Sequence, residues 1–333
     1  MLLALGAYMK AIYRSVFCAL AGVAALLGVD GISLAQEAPP AWAYPVSAPD
    51  FKPVADDGSI RHVPDSAAGI TLTQARDRFT AQDWHPQDHP AMPEVVARGR
   101  KPLVYACGFC HRADGPGGPE NANLTGLSAD YIIRQMKEFR SGERQSSVTN
   151  RPPIQVKAFL LKSVTDEEIA TAAAYFSAIP ARSVVKVVET DLVPKSMVAG
   201  SYFAALPGSE REPIGSRIVE LPDDTEQFES RDARALTTAY VPLGSINKGR
   251  ALATSGETGK TLVCAICHGV GLKGSDIAPV LAGRSPTYIV RQLYDFKNGK
   301  RAGAMSGPMA ATVQNLSVED MLALAAYASS LKP

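Results

Sequence analysis

Two five-residue stretches constrain this chain more than anything else in it: "CGFCH" at 107–111 and "CAICH" at 264–268. C-x-x-C-H is the attachment signature of c-type haem. Two thiols at this spacing bond the two vinyl groups of one porphyrin, and the adjacent histidine is held under the iron as its proximal ligand. A redox C-x-x-C pair does not need the histidine, and a zinc site would need both pairs to converge on one ion. Cys18 is the only other cysteine. The pattern therefore predicts two covalently bound haem c groups, held by Cys107, Cys110, Cys264 and Cys267, with His111 and His268 as iron ligands.

The motifs belong to a longer repeat. Cys107 and Cys264 lie 157 residues apart, and the same interval separates Leu124 from Leu281, Gly126 from Gly283, Ser128 from Ser285 and Tyr131 from Tyr288. "YIIRQMKEFRSGER" matches "YIVRQLYDFKNGKR" at 7 of 14 positions, and "VTDEEIATAAAYFSAI" (164–179) mirrors "LSVEDMLALAAYASSL" (316–331). One supersecondary unit is used twice. The unit reads as helical. Ile289, Leu293 and Phe296 fall at i, i+4 and i+7, and Gly299 stands where that helix would stop. Thr165 with Glu168 forms a capping-box pattern at the head of a later helix.

The order C-x-x-C-H, L-x-G-x-S, Y-I-x-R-Q-x-x-x-F-x-x-G-x-R, methionine, then a last helix with A-A-Y resembles the class I cytochromes c. Taken twice, it is similar to the two-domain dihaem cytochromes c of bacterial periplasms. The resemblance covers 94–182 and 244–333. It implies a mainly α fold with two tandem cytochrome c domains. Residues 36–93 read as an extended, proline-rich N-terminal arm, with a short helix expected in "TLTQARDRF" (71–79). Residues 183–243 are too long for a plain linker, and "SVVKVVET", "SRIVEL" and "TTAYVPLG" have the β-branched character of short strands.

In the family the iron's sixth ligand is usually a methionine in the loop before the last helix, seven residues ahead of the leucine that opens it. Counting back from Leu316 gives Met309, with Met305 as the alternative. The same count from Val164 gives Lys157, and no methionine lies between Met136 and Met197. The loop "RPPIQVKAFLLKS" has no sulfur to offer. Lys157 or Lys162 as a neutral amine, His85, His89 or Met92 from the arm, and an open site all remain as readings of haem 1. "HPQDHP" reads as a turn in its own right, because Pro86 and Pro90 oppose a helix. The resemblance also implies a proline carbonyl that accepts the proximal histidine's N–H. Pro279 fits that role in the second copy, whereas Ala122 stands at the equivalent place in the first.

Lys10 and Arg14, then the apolar run at 15–29 and "SLA" at 33–35, form an export-signal pattern over 1–35, which predicts a periplasmic protein. An uncleaved anchor is the alternative, and the one route to the membrane. Removing 1–35 loses Lys10, Arg14 and Asp30 and moves the formal charge from +1 to 0, which leaves no electrostatic footprint for nucleic acid. "TSGETGKT" (254–261) lacks the first glycine of a phosphate loop, so nucleotide binding is rejected. The expected activity is one-electron transfer between redox partner proteins (a dehydrogenase, an oxidase or another cytochrome), through two inequivalent haems. The alternative is a dihaem enzyme, thiosulfate dehydrogenase-like or peroxidase-like, with catalysis at haem 1.

Overall fold

A computed structural model describes residues 37–257 and 259–333; the export signal expected over 1–35 lies outside the described residues. The segment before the first motif is mostly extended. It is broken by α1 (Leu72–Ala75), a 3-10 turn at Pro86–Asp88 and α2 (Glu94–Ala97). The first copy of the repeat follows as α3 (Cys107–His111), α4 (Ala129–Ser141), α5 (Pro152–Leu160) and α6 (Asp166–Ser177). Seven short strands come next: β1 (Val185–Glu189), β2 (Leu192–Pro194), β3 (Ser196–Ala199), β4 (Tyr202–Ala205), β5 (Arg211–Pro213), β6 (Val219–Pro222) and, after α7 (Thr225–Glu229), β7 (Thr237–Val241). The second copy is built from α8 (Ser245–Ser255), α9 (Ala265–His268), α10 (Pro286–Lys297), α11 (Gly307–Val313) and α12 (Val318–Ser330).

The repeat is visible in its punctuation. The Ser128 hydroxyl accepts the Tyr131 N–H at the start of α4, and the Ser285 hydroxyl accepts the Tyr288 N–H at the start of α10. Both helices stop at a glycine in the left-handed region, Gly142 at φ +83° and Gly299 at φ +65°. Capping boxes open both α6 (Thr165 with Glu168) and α12 (Ser317 with Asp320). One difference from the sequence reading concerns "RPPIQVKAFLLKS", expected as a loop. Pro152 and Pro153 preset the first helical turn, so the stretch folds as α5. Its counterpart carries the shorter α11.

The segment between the copies forms the expected strands. β1 pairs parallel with β7 from Val185↔Thr237 to Glu189↔Val241, and β6 pairs antiparallel with β7. From β6 the buried Glu220 accepts hydrogen bonds from Ser285 and Thr287, so a carboxylate sits at the N-terminus of α10, where the helix dipole favours it. The arm is extended, as expected, but it is not loose. Ala43 and Tyr44 enter the core formed with α8, α10 and α12, and the Tyr44 hydroxyl donates to Asp295 at 2.9 Å.

Pro39–Pro333 form one compact unit; of the other, Met1–Ala38, only residues 37 and 38 are described. The two copies meet through equivalent residues. Arg144 donates to Gln135 (2.5 Å), Gln292 (2.8 Å) and Tyr288 (3.2 Å). Arg301 donates to Gln135 (2.8 Å), Gln292 (3.3 Å) and Tyr131 (3.4 Å). Gln145 N–H bonds the Lys300 carbonyl while Ala302 N–H bonds the Glu143 carbonyl. Each contact has its mate 157 residues on, so the joint is isologous within one chain. Among the described residues no helix is long and apolar enough to cross a membrane.

α8 crosses α12 at Gly249, where an added Cβ would strike the Ala323 carbonyl and the Tyr327 side chain. Gly249→Val is therefore expected to cost about 2–3 kcal/mol of overpacking. In thermal melts of the holoprotein the midpoint should fall by roughly 5–10 °C; an unchanged midpoint would contradict this crossing.

Candidate functional site

In the second copy, His268 closes α9 and is buried. Its Nδ1–H donates to the Pro279 carbonyl at 2.8 Å. Because a carbonyl can only accept, the proton is fixed on Nδ1 and Nε2 is left as a lone pair. That Nε2 is buried and has no hydrogen-bond partner in the protein. His268 borders a cleft with Leu293, Phe296, Met305 and Met309. A second lobe reaches Cys264 and Cys267, and His268 and Met309 border both lobes. Met305 borders the first lobe only and is 55% exposed. Burial lowers the His268 pKa, which favours the neutral ring that a metal needs.

The first copy reproduces this arrangement with different side chains. His111 Nδ1–H donates to the Ala122 carbonyl at 2.8 Å, across the same eleven-residue interval that joins His268 to Pro279. The sequence reading treated Ala122 as a departure from the family pattern. The structure corrects this: the acceptor is a backbone oxygen, and alanine supplies one as well as proline does. The cleft beyond His111 is bordered by Met136, Phe139, Arg144, Arg151 and Lys157. Burial first, and the Lys157 charge second, hold the His111 pKa down to about 4 against the opposing bond to Ala122. Lys157 Nζ stands 4.3 Å from the centre of the Phe139 ring. Its own pKa is pulled down to about 8, chiefly by burial and then by the neighbouring Arg144.

The other candidates for the first cleft lie elsewhere. His85 Nε2 is 3.2 Å from Asp232 Oδ1 and both side chains are buried. His89 is held between Asp83 and Tyr175. Met92 packs against the core beside α6, and Lys162 borders an outer opening that meets the cleft at Arg144 and Lys157. None of the four borders the cleft with His111. The sequence reading missed Arg144, Arg151 and Arg291, which border that cleft and give it a cationic lining. A signal for one of them was present: Arg144 and Arg301 stand at the repeat interval, at the ends of the two matched stretches.

These residues fit haem c. Each motif provides two free thiols on a short helix and a histidine whose Nδ1 is tied to a carbonyl. Each histidine borders a cleft with a Lewis-base side chain on its wall, Lys157 in one and Met309 in the other.

The family model described as "Cytochrome c" matches residues 248–332. Cytochrome c-554(547) of Halothiobacillus neapolitanus is 38% identical over 88 residues, which cover 24% of this chain and 97% of that protein. Cytochrome c4 of Azotobacter vinelandii is 36% identical over 109 residues, 30% of this chain; the match spans about half of that relative's length, 51%. A "Thiosulfate dehydrogenase electron acceptor" of Stutzerimonas stutzeri is 25% identical over 233 residues, covering 69% of this chain and 80% of that one. Two covalently bound haem c groups are the cofactors of such a chain.

Replacing one pair of thiols tests the pairing of motif and cofactor. In Cys107→Ser/Cys110→Ser the haem-to-protein ratio, measured by the pyridine haemochrome absorbance, should fall by half, leaving one haem per chain. Retention of two covalent haems would contradict the assignment.

Proposed function

We propose that this chain, which belongs to the cytochrome c family, is a periplasmic dihaem electron carrier whose two haems are ligated differently. Cys107 and Cys110 would attach haem 1, and His111 and Lys157 would hold its iron. Cys264 and Cys267 would attach haem 2, with His268 and Met309 on its iron. The domains are 94–182 and 244–333, and 183–243 is scaffold between them. The observation that carries the reading is the pairing of Lys157 with His111 on one cleft where Met309 and His268 share the other. Export through residues 1–35 is part of the same reading.

Bound haem supplies a one-electron ferric/ferrous couple. The chain's own residues set its terms. The carbonyls of Ala122 and Pro279 hold the imidazole rings in one tautomer, so little rearrangement accompanies a change of charge. At the first cleft the amine must shed its proton before it can bind a metal. Burial and Arg144 have already lowered its pKa to about 8, so part of that cost is met before ligation. At the second cleft a thioether needs no deprotonation, and it favours the ferrous state more than an amine does. Ligation by Lys157 would therefore hold haem 1 at a lower potential than Met309 would give haem 2.

A second reading, catalysis at haem 1, draws on the opening past Lys157 and Lys162 to the surface, which is lined by Arg144 and no carboxylate. It requires a sixth position free for substrate. Cyanide binding at haem 1 of the wild type, at neutral pH and without denaturant, would favour it.

Lys157→Met is the direct test of the ligand. Its haem 1 potential should rise by about 0.1 V or more, within the roughly 0.8 V range that axial ligands span. Haem 2 should stay fixed. The sign of the pH effect follows from the amine: acid returns a proton to Lys157 and releases it from iron, so acidification should alter haem 1 before haem 2. An unmoved potential in the variant would remove Lys157 from the iron.

A further inference from the structure

Arg112, directly after the first attachment motif, holds a backbone shape that side chains rarely take. Its φ of +68° and ψ of 166° fall in a region populated almost only by glycine. The residue 157 positions on is Gly269, at φ +74° and ψ 170°. The two turns match in detail. Gly117 N–H bonds the His111 carbonyl at 3.0 Å, and Gly274 N–H bonds the His268 carbonyl at 2.8 Å. Gly115 N–H bonds the Arg112 carbonyl at 3.3 Å, and Leu272 N–H bonds the Gly269 carbonyl at 3.0 Å. A Cβ on Gly269 would strike the Gly274 carbonyl, so the second copy has glycine where its turn demands it. The first copy makes the same turn and bears the strain of an arginine.

The side chain adds to that strain. Arg112 is 2% exposed, and its Nη1 is buried with no hydrogen-bond partner among the described residues. The guanidinium stacks 4.7 Å from the centre of the Phe228 ring on α7, and it does not border the cleft with His111. An uncharged chain of similar length would pack on Phe228 without a charge to bury. The charge itself therefore needs a reason.

Its surroundings are dry. Phe109 and Ala113 are buried on either side of it. A Cβ on Gly108 would meet Ala81 Cβ at 2.6 Å, so the arm lies directly on α3. The Trp84 indole N–H bonds the Ser230 carbonyl at 2.8 Å, which locks the arm to the stretch after α7. From that stretch Arg231 stacks 3.8 Å from the centre of the Phe109 ring, as a second cation beside the motif. Glu120 is the carboxylate that acts most strongly on Arg112; Asp232 acts less and lies 3.2 Å from His85. Glu120 also acts on Arg231, so the two guanidinium groups share it. Neutralising Arg112 would change the local charge by one full unit, with little water to screen the change.

We propose that Arg112 sets the potential of haem 1: its positive charge, one residue from the proximal histidine, favours the reduced state. The inference rests on the carrier reading above and adds a counterweight to it. Reduction takes one electron from a donor and lowers the charge at the iron by one unit, so a nearby cation stabilises the product. Ligation by Lys157 acts in the opposite direction. The second copy, with Gly269, has no counterpart to Arg112.

The test is a redox titration of the holoprotein with soluble mediators, followed by absorbance. Haem 1 is identified as the couple absent from Cys107→Ser/Cys110→Ser. In Arg112→Gln, the ratio of reduced to oxidised haem 1 at the wild-type midpoint should fall by about tenfold, the scale of one unit charge at an effective dielectric near about 20. For a one-electron couple that is a shift of about 59 mV. Haem 2 should change by less than about twofold, since distance and solvent screen it. Arg112→Lys keeps the charge and should restore most of the ratio. Arg112→Gly removes the charge and suits the backbone, so it should reproduce the fall even where the glutamine variant fails to fold. An unmoved haem 1 couple in Arg112→Gly overturns the proposal. An equal fall in Arg112→Lys would assign the effect to packing on Phe228 and also overturn it. If haem 1 of the wild type shows no reversible one-electron couple, the carrier reading fails, and this proposal fails with it.

Discussion

Two buried guanidinium groups decide how the halves of this chain face each other. Arg144 and Arg301 would repel one another if left alone, and burying either without acceptors would cost several kcal/mol. Gln135 and Gln292 resolve this by accepting from both arginines, and Tyr288 and Tyr131 complete the set. Neutral oxygens take the hydrogen bonds, and the rings of Phe139 and Phe296 stack on the two guanidinium groups at 4.5 and 4.0 Å. Because those glutamines lie on α4 and α10, which also wall the two clefts, the joint places the clefts back to back across one interface.

From that common scaffold the two halves diverge in ways that all act on haem 1. Its cleft offers an amine where the other offers a thioether, and its lining is cationic. Its motif lies beneath the arm and the stretch after α7, with Arg231 stacked on Phe109. The second copy carries a methionine on its cleft, and its motif is exposed at Ile266.

Much of this was legible before any coordinates. The repeat interval of 157 fixed which residues correspond, and the glycines, caps and strands fell where local chemistry put them. What escaped was whatever depends on backbone or on distant partners. Ala122 looked like a departure because a sequence displays side chains, while the proximal acceptor is a main-chain oxygen. The stretch around Lys157 was expected as a loop because the family resemblance places a loop there; Pro152 and Pro153, at the first turn, start a helix instead. The roof over Phe109 had no local signal at all, since Ala81 and Arg231 come from segments outside the repeat.

Low-temperature near-infrared magnetic circular dichroism of the oxidised wild type distinguishes a lysine from a methionine as the sixth ligand of each iron. The porphyrin-to-iron charge-transfer bands of low-spin ferric haem separate by axial set. Two bands of equal weight are predicted, one at the His/Met position and one in the amine-ligated range. A single His/Met band carrying the intensity of both haems, or a high-spin signal from half of the iron, would contradict the account.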